Sequence, residues 1–275
     1  MEVSNVAVAI ICSLLLIAMI SYIFIIYTIR KNRINENRYY LIALLSITDF
    51  LKCLNVIMLL SLYTRGLRSD NFLNGLVLIL YMLDGWSIFI VAFASADRFC
   101  AIRFSLQYNN IMTTKKMNTC IGVIFAVHLV LVTVLVVFTT DRFGRIAPVS
   151  LGLMSYNISI RLAICIFAIL TNVIILSIRK RKLLAVGTTA DEISYLTSIK
   201  RGIKDIIVLN FWAIFIFLLQ IVIAIWFLTS KELFLTLRKI NFVLFILNCL
   251  LNPFAYIITQ KELRERTTQF FERIF

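Results

Sequence analysis

Seven stretches of this chain stay apolar for about 20 residues or more, the length at which an α-helix crosses the hydrocarbon core of a bilayer. They fall at about 6–29, 38–63, 72–102, 117–138, 158–178, 199–228 and 234–258. With 61% hydrophobic residues and a mean hydropathy of +0.95, the chain carries more apolar surface than a globular core can hide. Lipid is the solvent that takes the excess. Spanning β-strands would alternate apolar and polar residues over ~10 positions, and the runs show no such alternation. Two prolines and eight glycines leave them free to stay helical. The expectation is an all-α, integral membrane seven-transmembrane helix bundle, one domain over 1–275. A short surface helix at about 260–273 follows, with Leu263, Phe270 and Phe271 set among charges. The first run does not read as a cleavable signal peptide, because no basic residue precedes it and it exceeds an h-region of ~7–15 residues.

The formal net charge of +14 would suggest nucleic acid in a soluble chain. Here the basic residues sit between the runs and report orientation, so no nucleic-acid partner is expected. One set of connecting segments, with the tail, holds eighteen: Arg30, Lys31, Arg33 and Arg38; Arg103, Lys115 and Lys116; Arg179 to Lys182, Lys200, Arg201 and Lys204; and Lys261, Arg264, Arg266 and Arg273. The other set holds eight, from Arg65 to Lys239. The richer side is cytoplasmic by the positive-inside rule, which puts the N-terminus outside, as in a multi-pass plasma-membrane protein. The six cysteines lie in or next to apolar runs and read as free, buried thiols. The segment 183–198 is the one long polar linker.

Polar groups inside a bilayer are costly, so each is a candidate for function. Asp49 lies mid-way along the second run. Asn248 and Asn252, four apart, share one face of the seventh. Ser87 stands in the third run, three turns before Arg98. One carboxylate with hydroxyl and amide oxygens suits a small hard cation, sodium, or a water cluster. An interior polar network that only joins helices uses the same residues.

Two stretches carry a family resemblance. Asp97-Arg98-Phe99-Cys100-Ala101-Ile102-Arg103-Phe104-Ser105-Leu106-Gln107-Tyr108 resembles the D-R-Y-x-A-I-x-x-P-L-x-Y segment that ends the third helix of rhodopsin-like (class A) G-protein-coupled receptors. Asn248-Cys249-Leu250-Leu251-Asn252-Pro253-Phe254-Ala255-Tyr256 resembles the N-S-x-x-N-P-x-x-Y of their seventh. Asp49 matches the acid of L-A-x-x-D in the second helix, and Leu263-Arg264 falls at F-R in the eighth. The resemblance implies a receptor, not an enzyme, that senses an extracellular ligand and signals to a heterotrimeric G protein. In that role Asp97, Arg98, Phe99, Leu106, Asn252, Pro253 and Tyr256 form the coupling switch. Arg98 is a permanent cation with Asp97 beside it as resting partner. Pro253 removes a backbone hydrogen bond and weakens its helix there.

Several positions depart from the family. Its first-helix asparagine falls at about Tyr22, and its fourth-helix tryptophan has no counterpart around 125–128. The fifth-helix proline is absent. Phe211 to Phe217 stand at F-x-x-C-W-x-P, which puts Phe215 at the tryptophan and loses the proline. Leu73 occupies the place of the helix-three cysteine, so the usual external disulfide is missing.

The position where amine receptors hold a ligand-pairing aspartate falls at Leu80, and the opsin lysine position at Ile246, so neither an amine of that kind nor retinal is expected. Leu80, Tyr81, Asp84 and Phe215 form the candidate ligand pocket. Asp84, beside Tyr81 and Trp86, suits a cationic ligand with cation–π support or, equally, an internal hydrogen bond. Asn157-Ile158-Ser159 is a glycosylation sequon. His128, the lone histidine, reads as a hydrogen-bonded interior residue. Two other readings stand beside the receptor: a non-signalling receptor-like protein that acts by pairing or trafficking, and a transporter, which would show repeated halves or broken helices. One histidine and no phosphate loop or nucleophile–base pair leave little for an enzyme to use.

Overall fold

A computed structural model of the chain describes residues 5–31, 37–65, 70–104, 107–143, scattered residues between 159 and 177, residue 243, and residues 246–258 and 261–274. All regular structure among them is helical. We number the continuous helices α1 (Asn5–Lys31), α2 (Asn37–Thr64), α3 (Asp70–Arg103), α4 (Tyr108–Ile111), α5 (Thr114–Phe143), α6 (Ile246–Ile258) and α7 (Lys261–Ile274). α1, α2, α3 and α5 are each long and apolar enough to cross a membrane. The described residues between 159 and 177 are helical as well, within the fifth expected run. The sixth run, the sequon at Asn157 and the linker 183–198 lie outside the described residues.

No glycine or proline interrupts α1 or α2, and in lipid a helix is the form that satisfies every backbone group within one segment. The helices run past the limits read from hydropathy because polar residues complete their first and last turns. α5 begins at Thr114 rather than at Met117, where Thr113 Oγ1 accepts a hydrogen bond from the Lys116 amide at 3.4 Å in the N-cap position. α4, a single turn between α3 and α5, has no counterpart in the apolar pattern.

α1 buries Leu15, Ala18, Tyr22, Ile25 and Ile29, spaced three and four apart along one face. That face meets Leu41, Leu45, Cys53 and Val56 of α2, and the core continues through Ile90 of α3 and Cys249 and Tyr256 of α6. The opposite face of α1 exposes Val6, Ile10, Ile17 and Ile20, and α5 exposes Val123, Val127, Val130 and Val134. Apolar surface that continuous belongs in lipid rather than water. The protein is a multi-pass membrane protein. Leu263 is buried where α7 docks on α1, while Arg264, Glu265 and Arg266 point away, as expected of a surface helix.

The cysteines are free where described, but their setting is mixed. Cys53 and Cys249 are buried, Cys12 and Cys100 half-buried, and Cys120 is exposed on the outer face of α5. The expectation of uniformly buried thiols is corrected at Cys120. In lipid an apolar position can face outward as comfortably as inward, so an apolar run alone does not fix burial.

Candidate functional site

Most hydroxyls in these helices bond to the carbonyl one turn back. Ser13, Ser21, Thr28, Thr48, Ser61, Ser95 and Thr133 each do so at 2.7 to 3.0 Å. Such groups satisfy themselves and create no site. Among the described residues, the largest group of polar side chains that reach across helices converges on Asp49.

Asp49 is fully buried on α2. Its Oδ2 accepts from Asn252 Nδ2 at 2.9 Å and from the Tyr256 hydroxyl at 3.3 Å, both on α6. Its Oδ1 accepts from Lys52 Nζ at 2.8 Å. The Tyr22 hydroxyl lies 3.4 Å from Oδ2, but its single proton is given to the Cys249 carbonyl at 2.7 Å. Cys249 stands four residues before Pro253, so its carbonyl is the one that a proline leaves without a helical amide. Tyr22, marked in the sequence only as a departure from the family asparagine, supplies the missing donor from α1.

Lys52 escaped the sequence reading. Its side chain is fully buried, and besides Asp49 its ammonium donates to Ser87 Oγ at 2.6 Å and lies 3.8 Å from Asp84 Oδ1. Ser87 passes its own proton to the Asp84 carbonyl at 2.8 Å. The signal was available: Lys52 is three residues after Asp49, on the same helix face, and is ionisable within an apolar run. Four residues grouped in the sequence as a cation or water site are thus arranged unevenly. Asn252 and Asp49 bond directly, Ser87 joins them through Lys52, and Asn248, half-buried one turn before Asn252, takes no part in the described bonds around Asp49.

At the other end of α3, Asp97 is buried and accepts from the Tyr108 hydroxyl of α4 at 2.6 Å. The short helix therefore positions a partner of Asp97. Phe99 is half-buried and Pro253 buried. The side chain of Arg98, and Leu106 altogether, lie outside the described residues.

The candidate ligand-pocket residues diverge. Leu80 packs on the α1–α2 core, whereas Tyr81 packs beside Val132 of α5. Trp86 meets Phe125 of α5 edge-on, with ring centroids 4.8 Å apart. Asp84 Oδ1 lies 3.8 Å from the Lys52 ammonium of α2. Phe215 lies outside the described residues. His128 is buried as expected, with Nε2 3.2 Å from the Met82 carbonyl and its ring against Phe89.

The family profile described as 7 transmembrane receptor (rhodopsin family) matches residues 22–256, most of the chain. The chain belongs to the rhodopsin family of seven-transmembrane receptors. No curated protein matches it. Membership makes the molecule a receptor of the seven-helix bundle type. The departures then read as local substitutions within that bundle. The tyrosine at position 22 still serves the seventh-span proline. The lysine at position 52 adds a charge to the receptor core that the sequence motifs gave no reason to expect.

Proposed function

We propose that this receptor sits in the plasma membrane with its N-terminus outside, binds an extracellular ligand and signals to a heterotrimeric G protein. The observation that carries the reading is the set of bonds joining Asp49 to Asn252 and Tyr256, on either side of Pro253 in the sequence. A helix weakened at a proline and held by side-chain bonds to a neighbour has two packed arrangements available, with those bonds made or released. A ligand shifts the balance through its differential affinity for the two. In the signalling arrangement the cytoplasmic ends part and Arg98, with Leu106 and Tyr256, meets the G protein. The excess of basic residues on the segments flanking Arg98 supports the orientation.

The test compares wild type with Arg98→Ala and Asp49→Asn in cells carrying G-protein dissociation sensors, at matched surface expression. Arg98→Ala should abolish basal and ligand-driven dissociation, and Asp49→Asn should change the basal level. If neither alters the output, the receptor acts without a G protein.

A further inference from the structure

The fold family and the carboxylate with its oxygen neighbours together raise the expectation of a sodium ion beside Asp49. The residues present do not fit one. A sodium site needs oxygens with free lone pairs facing a common point, whereas each oxygen of Asp49 already faces donors. Oδ1 takes the Lys52 ammonium, and Oδ2 takes the Asn252 amide and the Tyr256 hydroxyl. Ser87 Oγ, a further oxygen facing that point, holds the same ammonium at 2.6 Å. A sodium ion bound there would overlap the ammonium or stand within a few ångströms of a like charge among fully buried side chains.

We infer that Lys52 is the receptor's resident cation, a covalently tethered ammonium that takes the place of an exchangeable sodium ion. Its charge answers Asp49 on its own helix and Asp84 on α3, and its donors fill the geometry a hydrated ion would fill. An ion can leave when the bundle rearranges, but a lysine can only change partners. The receptor core is then indifferent to sodium, and removal of the lysine side chain opens an anionic cavity that accepts the ion. This inference concerns cation binding and holds whether or not the receptor couples to a G protein.

The experiment follows thermal unfolding of the full-length receptor in nanodiscs, in sodium chloride and in N-methylglucamine chloride of equal ionic strength. An ion that binds only the folded state raises the midpoint in a saturable, concentration-dependent way. Wild type should show the same midpoint in both salts. Lys52→Ala should melt lower than wild type in N-methylglucamine and recover part of the loss as sodium is titrated. The double variant Lys52→Ala with Asp49→Asn should show no sodium response. A saturable sodium-specific rise in wild type, or a folded Lys52→Ala that ignores sodium, overturns the inference. Where Lys52→Ala does not fold, the wild-type comparison decides alone.

Discussion

The Tyr22 hydroxyl donates to the Cys249 carbonyl at 2.7 Å, joining α1 to the one turn of α6 that Pro253 deprives of a backbone amide. A buried carbonyl without a donor costs about 1–3 kcal/mol, so the tyrosine and the proline form a pair although 231 positions separate them.

Tyr22→Phe should therefore lower stability by about 1–3 kcal/mol, seen as a reduced thermal midpoint in nanodiscs. In a Pro253→Ala background the restored amide at position 253 can bond to the same carbonyl, and Tyr22→Phe should then cost clearly less. The double-mutant cycle should give a coupling of about 0.5–3 kcal/mol. Strict additivity would mean that the two residues act independently.

Asp49 and Asp84 share one ammonium unequally, at 2.8 Å and 3.8 Å. Asp49 is also the acceptor for Asn252 and Tyr256. Removing one partner of a buried ion pair costs about 3–5 kcal/mol. Asp49→Asn should approach that range, and Asp84→Asn should fall below it. Thermal unfolding of the two variants side by side reads the order, and an inverted order would assign Lys52 chiefly to Asp84.

Much of this arrangement was legible in the sequence, for physical reasons. Lipid requires long apolar runs, so the helices of α1, α2, α3 and α5 were visible, whereas their ends depend on caps such as Thr113 that hydropathy does not see. Asp49, Asn252 and Tyr256 stood out as polar groups at fixed spacing around a proline, and they do meet. Lys52 did not stand out. The loop residues and Arg98 account for every basic residue but this one, and an apolar run tolerates a single charge without ceasing to look like a span. Tyr22 was visible only as a mismatch, because its donor role depends on a carbonyl 227 positions away. The reach of Asp84 to Lys52 was not visible either, because it joins side chains of two different helices. Tyr81 packs beside Val132 of α5, and Trp86 meets both Phe125 of α5 and the main core.

Tyr108 holds α4 to α3 through the buried Asp97 carboxylate at 2.6 Å. Hydrogen bonds to charged groups are worth about 1.5–3 kcal/mol. In a helix of a single turn, that bond should contribute strongly to local order. Tyr108→Phe should raise hydrogen–deuterium exchange at 107–113 while leaving the α1–α2 core at wild-type protection. Unchanged exchange there would show that α4 is held by other contacts.

Leu263 is the buried anchor of α7, 1% exposed against α1, and its carbonyl also receives the Thr267 hydroxyl at 2.7 Å. Arg264 Nη1 reaches back to the Ile258 carbonyl at 3.3 Å, a contact that is exposed and therefore weak. Among the described side chains of α7, Leu263 is the one buried in the core. A buried Leu→Ala change costs about 2–5 kcal/mol where the site cannot collapse, but at this edge the cost should appear as local undocking, since α7 can lift away without disturbing α1. Leu263→Ala should speed exchange throughout 261–274 and leave the unfolding midpoint of the bundle nearly unchanged. Arg264→Ala should do neither. A large fall in the global midpoint with Leu263→Ala would make α7 part of the folded core instead of an appendage at its edge.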